Sequence, residues 1–258
     1  MSSVPSATLL PNKWDADHAA SLSEPERLLY RSNLLGSDLR ITNFGGGNTS
    51  AKVWQKDPLG GKDVEVLWVK GSGGDVGSMK LDGFSTLYMD KLRALKGLYR
   101  GEEFEDEMVG YLPHCTFNLN PRAASIDTPL HAYIDKPHVD HMHPDAVIAI
   151  AASKDSRAIT QEIFGDAIGW LPWKRPGYQL GLMLEEYFNK NPDSKGVVLE
   201  SHGLFTWGTV PKNATTPRLK SLTRQLPGSS RKPVVLKYLA EYAIKALMRI
   251  PADPLHRH

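Results

Sequence analysis

The segment Val64-Glu65-Val66-Leu67-Trp68-Val69-Lys70 constrains the fold most. Its alternating apolar pattern is that of a strand, and it runs straight into Gly71-Ser72-Gly73-Gly74, where the chain must turn. A strand needs partners. The spacing offers them at Val197-Val198-Leu199-Glu200 and His202 to Gly208, which read as strand, turn, strand. Ala146 to Ala152 (AVIAIAA) is a short apolar run that reads as a further, buried strand. Helices are predicted from Ser23-Glu24-Pro25-Glu26, which supplies an N-cap, an early proline and early acids, to Leu35 before Gly36. Others are predicted over Thr86 to Leu98, Ser125 to Ile134 and Tyr178 to Lys190. Strands and helices mixed in this order point to an α/β sandwich around a central sheet.

The 258 residues suffice for one large α/β domain or two small ones. With a net charge of +2, no global basic field argues for nucleic acid. Cys115 is the single cysteine, which excludes an internal disulfide and any multi-cysteine zinc site. The first residues lack a charged region followed by an apolar run, and no stretch reaches the ~18 apolar residues of a spanning helix. A cytoplasmic protein without membrane partners is the expectation.

Three of the nine histidines fall within six residues: His138, His141 and His143. On a strand, positions i and i+2 face one side, so His141 and His143 can reach one ion. Pro144 and Asp145 suit a turn at that strand's end. His202 stands at a strand-to-glycine turn and is the expected third ligand. Three imidazoles with an open position make a catalytic zinc site, although manganese, cobalt or iron also suit such ligands. The bland alternative is a surface or hydrogen-bonded pair. His138 is expected to hydrogen-bond or lie exposed, and His131 to be structural on its helix. His18, His114, His256 and His258 have no assigned partner.

Asn43 to Lys52 (NFGGGNTSAK) and Lys70 to Gly74 (KGSGG) are glycine-rich turns whose backbone N–H groups can face an anion. Neither fits the P-loop or the dinucleotide fingerprint. Each can equally be a tight turn.

Five stretches in order, NFGGGNTS (43–50), WVKGSGGDVGSM (68–79), SIDTPLHAYI (125–134), HVDHMHPDAVIAI (138–150) and ESHGLFTWG (200–208), resemble the class II aldolase/adducin family. The resemblance is strongest to the aldolase part of bifunctional rhamnulose-1-phosphate aldolase/dehydrogenases. It implies a three-layer α/β/α sandwich with a central, mainly antiparallel sheet. It implies a divalent metal, zinc by expectation, on His141, His143 and His202. It implies a catalytic carboxylate at Asp127, where relatives usually carry glutamate. The competing reading is that Asp127 N-caps the helix begun by Thr128-Pro129. It further implies phosphate contacts from Gly47, Asn48, Ser72, Gly73 and Ser125, and a homo-oligomer, commonly a tetramer. The implied reaction is cleavage of a ketose 1-phosphate, L-rhamnulose 1-phosphate foremost, to dihydroxyacetone phosphate and L-lactaldehyde. Alternatives on the same fold are a phosphosugar epimerase, a dehydratase, or a non-catalytic adducin-like interaction module.

The expected organisation is an N-terminal arm over 1–24, loose over 1–20, the aldolase-like domain over 25–208, and a tail over 209–258. The motifs stop at Trp207-Gly208. Beyond them, ten Lys/Arg stand against two acids, Glu241 and Asp253. Residues 209–233 hold six bases, four prolines and no acid, the composition of a linker or disordered tail. A helix is expected over 234–250. The composition break motivates the hypothesis of a shifted reading frame near residue 209, against a divergent tail of a genuine short protein. Nothing in the tail resembles a dinucleotide-binding unit, so no NAD activity is expected.

Overall fold

The computed structural model describes residues 13–43 and 46–209. The expected tail helix over 234–250 and residues 1–12 of the arm lie outside the described residues. The end of the arm is ordered: Asp15 caps a short helix, α1 (Ala16–Ala20), and Trp14 and His18 pack on Tyr30. That tyrosine belongs to α2 (Glu24–Gly36), whose start is fixed by the Glu26 carboxylate accepting from the Ser23 N–H at 2.9 Å.

Seven strands form one sheet: β1 (Asn48–Lys56), β2 (Asp63–Lys70), β3 (Phe84–Tyr88), β4 (His138–Met142), β5 (Ile168–Leu171), β6 (Gly196–Leu199) and β7 (Gly203–Gly208). Their spatial order is β3-β2-β1-β4-β7-β6-β5, antiparallel throughout except for the parallel pair β5–β6. That parallel pair needs a crossover, which α8 (Tyr178–Lys190) supplies. Helices α2, α6 (Asp145–Ala151) and α7 (Ser156–Phe164) cover one face. On that face Leu35, Met142, Val147, Ile150, Val198 and Leu204 make one cluster. On the other face α5 (Thr128–Ala132) and α8 press Leu130, Leu180 and Leu184 onto Val139, Val197 and Phe205. Helices α3 (Met89–Ala94) and α4 (Glu105–Tyr111) cover the β2–β3 end through Leu92 and Met108. The three-layer sandwich with a mainly antiparallel sheet is thus observed.

Four local expectations are corrected. Of the turn expected over Asn43 to Lys52, residues 48–52 are strand β1, held by pairing with β2 and β4 that the local glycine-rich pattern does not reveal. Residues 146–152 are not a strand, because Ala146, Val147, Ile150 and Ala151 are the buried positions, a one-sided helical stripe. A seven-residue apolar run carries too few turns for its period to be read without its surroundings. The predicted helix over Thr86 to Leu98 begins as strand β3, and only Met89–Ala94 is α-helical. β3 pairs with β2, Thr86 opposite Trp68, so sheet hydrogen bonds override local preference. The helix expected over Ser125 to Ile134 is confined to Thr128–Ala132.

The short α5 is held by a buried lysine. Lys52 Nζ, on β1, donates to the carbonyls of His131 (3.1 Å), Ile134 (2.7 Å) and Lys136 (2.8 Å). Burial pushes its pKa down to about 7, yet three carbonyl oxygens satisfy an ammonium completely. Lys52→Met is expected to orphan these carbonyls and cost about 3–5 kcal/mol, since each unmet buried group carries its desolvation penalty. Urea titration at pH 7 measures this, and a loss below about 1 kcal/mol would contradict it.

Candidate active site

Strand β4 carries the first two histidines. Residues of odd number on it face α5 and α8, so Val139 and His141 lie on one side and His138 and Asp140 on the other. His141 is buried and stacks on Phe205 with ring centroids 4.2 Å apart. His143 follows directly after the strand end, and Pro144 then opens α6. His202 comes from the β6–β7 turn, where Ser201 adopts φ 53°, a left-handed conformation costly for serine. Gly203 is obligatory beside it: a Cβ there would stand 2.7 Å from His143 Cδ2 and 3.1 Å from His141 Cε1.

The three rings converge on their Nε2 atoms. His141 Nε2 lies 2.9 Å from His143 Nε2 and 3.2 Å from His202 Nε2. Two nitrogens bound tetrahedrally to one zinc at ~2.0–2.1 Å are about 3.3 Å apart, close to these spacings. His141 Nδ1 donates to the Leu204 carbonyl at 3.1 Å, which leaves its Nε2 lone pair facing the other two rings. That lone pair can take a ring N–H from one neighbour, whereas a cation would engage all three nitrogens at once, and a ring N–H on a backbone carbonyl is the usual brace of a metal-bound imidazole. Among the described residues, His141, His143 and His202 are the one cluster of potential metal ligands. The donor set therefore fits a divalent metal.

Burial lowers the pKa of all three. His141 is pushed well down, first by burial and then by the charges of His143 and His202. For His143 and His202 burial dominates, and Asp127 opposes it. Such groups are neutral when folded and ordinary when unfolded. The unfolded chain therefore binds more protons below pH ~6.5, and stability that is complete above that pH is lost as the pH falls. The fully buried His131, lowered to about 3, adds to the same trend. Metal-free protein is expected to lose about 1.4 kcal/mol per pH unit below ~6.5 through His131, with the three site histidines adding in the same direction. Equal urea midpoints at pH 7 and pH 5 would refute this.

Asp127 faces the cluster from the start of α5. It stands at the N-cap position, yet its side chain makes no capping hydrogen bond. Oδ2 accepts from Asn48 Nδ2 at 2.7 Å, while Oδ1 is buried with no hydrogen-bond partner among the described residues. A buried, uncommitted carboxylate oxygen beside a metal-ligand set suits proton transfer.

The first glycine-rich turn packs directly on the histidines. Gly47 has φ 75°, and a Cβ there would stand 2.7 Å from the His141 carbonyl; one on Gly46 would stand 2.9 Å from His143 Nδ1. This turn is thus glycine-rich in part because it packs on the histidine strand, where Asn48 lies opposite His141. Ser72 donates its N–H to the Ala123 carbonyl at 2.9 Å, and Gly73, at φ 75°, accepts from Lys70 Nζ at 3.1 Å. Ser125 Oγ accepts from the Asp127 N–H at 3.2 Å. Gly47, Asn48, Ser125, Asp127 and the three histidines are thus linked by contacts, whereas Ser72 and Gly73 make theirs with Ala123 and Lys70. His138 is outside this set, 2.8 Å from Arg31, on the opposite face of β4. Three residues had no site role in the sequence reading. His131 bonds Asn48; Lys70 supports the second turn; Arg122 approaches Gly73. For Lys70 the signal was its place at the head of KGSGG.

Residues 26–217 match the Class II Aldolase and Adducin N-terminal domain family. The chain belongs to that family. The match runs somewhat past Gly208, where the motifs stop. YuxG of Bacillus subtilis (strain 168), described as an uncharacterized oxidoreductase, is 45% identical over 196 residues, which cover 76% of this chain and 28% of YuxG. The chain thus spans less than a third of that relative's length. Among solved structures, the N-terminal class II aldolase domain of a conserved protein from Thermoplasma acidophilum is 32% identical, with a TM-score of 0.68 over 77% of this chain and 89% of that one. A sugar-phosphate aldolase from Thermotoga maritima shares the fold, with a TM-score of 0.51 at 13% identity over 89% of this chain and 97% of that one. Among the described residues no helix is long and apolar enough to cross a membrane.

Proposed function

We propose that this family member is a metal-dependent aldolase that cleaves a ketose 1-phosphate, L-rhamnulose 1-phosphate foremost, to dihydroxyacetone phosphate and L-lactaldehyde. The observation that carries it is the convergence of three imidazole Nε2 atoms next to a carboxylate with one uncommitted oxygen. A divalent metal held by His141, His143 and His202, zinc being the expected ion, would draw charge from the substrate's carbonyl and hydroxyl oxygens. Asp127 takes the proton from the substrate hydroxyl as the carbon–carbon bond breaks and returns one to the carbon left behind. The two turns, through Gly47, Asn48, Ser72, Gly73 and Ser125, hold the phosphate and so orient the reacting end. The choice of sugar rests on the motif resemblance. YuxG's description as an oxidoreductase is in keeping with a bifunctional relative whose redox chemistry lies outside the stretch matched here. A tetrameric assembly completes the proposal, to be checked by light scattering.

The test is a product assay on a panel of ketose and pentulose phosphates, run with and without a chelator. Aldehyde release from L-rhamnulose 1-phosphate, abolished by chelation and restored by zinc, is the expected result. Epimerised or dehydrated products would replace the aldolase reading, and turnover untouched by the chelator would remove the metal from it.

A further inference from the structure

Asp127 is oriented from the interior of the protein. Asn48 Nδ2 donates to Asp127 Oδ2 at 2.7 Å, and Asn48 Oδ1 lies 2.5 Å from His131 Nε2. His131 Nδ1 lies 2.8 Å from Ser50 Oγ and 3.1 Å from the Val139 carbonyl. The ring is wholly buried, 5.4 Å from that of Phe205. Strand β1 places Asn48 and Ser50 two residues apart on one face, so both reach the same imidazole.

The order of hydrogens in this row is set by its charged end. An ionised carboxylate accepts and never donates, so the Asn48 atom facing Asp127 is the NH2 group. Its carbonyl then faces His131, and Nε2 must carry the hydrogen. Burial, helped by the charge of Lys52, pushes this imidazole down to about 3, so at neutral pH it holds a single proton. Nδ1 is then an acceptor: it takes the Ser50 hydroxyl hydrogen, for which the Val139 carbonyl at 3.1 Å competes, and it faces that neutral carbonyl at 3.1 Å. The opposite tautomer, with Nδ1–H donating to Val139, satisfies that carbonyl but turns the Asn48 carbonyl onto the Asp127 carboxylate at 2.7 Å, and an acceptor set that close against a charged acceptor costs more than one at 3.1 Å from a neutral carbonyl.

We propose that His131 is a positioning residue for Asp127: by donating from Nε2 it locks the Asn48 amide in the orientation that hydrogen-bonds the carboxylate. This inference rests on the assignment of Asp127 as the acid/base. Asp127 keeps Oδ1 toward the substrate because Oδ2 is tethered, and the tether is only as firm as the amide that makes it.

Two measurements on the full chain test this. The first is the side-chain nitrogen NMR of protein labelled with 15N-histidine, with His131 assigned by its disappearance in His131→Gln. A ring that carries Nε2–H at both pH 7.5 and pH 5.5 is expected; a neutral Nδ1–H ring overturns the proposal, whether or not any sugar is cleaved. The second compares His131→Leu, which has no donor, with His131→Gln, whose amide can donate to Asn48. On a substrate that the wild type cleaves, kcat is expected to fall about 10²-fold in the leucine variant, the scale of a small misplacement of a reacting group. Metal content should stay within about twofold, KM should rise less than kcat falls because Asn48 is only one of the phosphate contacts, and the glutamine variant should regain most of kcat. Equal losses in both, or losses that follow metal content, overturn the proposal. Should the leucine variant not fold, the glutamine variant and the tautomer decide. A wild type that cleaves none of the panel speaks against the aldolase reading, not against the tautomer.

Discussion

His143→Ala is expected to lose its metal while keeping its fold. His143 supplies one of three converging nitrogens but, unlike His141, is neither fully buried nor stacked on Phe205. A quarter share of the ~10–16 kcal/mol of a four-ligand zinc site is about 2.5–4 kcal/mol, or roughly 10²- to 10³-fold in affinity. Metal-free, the variant should be within about 1 kcal/mol of the wild type, the scale of the one ring–ring hydrogen bond it can lose. The difference appears on adding zinc. Wild-type protein gains stability in proportion to the logarithm of zinc over its dissociation constant, and the variant gains far less. Elemental analysis after dialysis and thermal unfolding with and without zinc check both halves. One equivalent of tightly held metal in His143→Ala would show that the three histidines are not the ligand set.

Asp127→Asn is expected to abolish turnover without touching the metal. The substitution keeps the shape but removes the ability to take a proton. General acid–base catalysis contributes about 10²- to 10⁴-fold, so kcat should fall by that factor. KM should change little, because the turns proposed for the phosphate are intact. Asp127 makes no capping hydrogen bond, so the fold has little to lose from its charge. If Asp127→Asn cleaved L-rhamnulose 1-phosphate at the wild-type rate, the acid/base would have to be sought elsewhere.

Much of this site was legible in the sequence because its chemistry is written in short, local patterns. His141 and His143 share a face by strand parity alone, and His202 is marked by the glycine that follows it. The glycine-rich turns, too, are visible as residues. Their reason is only half visible, since the need for glycine at 46 and 47 comes from the histidine strand lying against them. His131 read as a structural histidine on a helix, and it is indeed buried. That it grips Asn48, 83 residues earlier, depends on β1 pairing with β4 beneath α5, and sequence spacing carries no trace of this.

The sequence by itself determined the element types wherever capping, turn residues or a long period spoke clearly, as in α2, α8, β2 and the β6–β7 turn. It also determined the histidine pair and, through motif order, the family. The tertiary structure decided what depends on neighbours. It made AVIAIAA a helix, because only burial against the sheet reveals which of its apolar residues share a side. It made Phe84–Tyr88 a strand through pairing with β2. It left Asp127 with one tethered and one open oxygen, because the hydrogen-bond partner of a carboxylate is set by chain elements that meet only on folding.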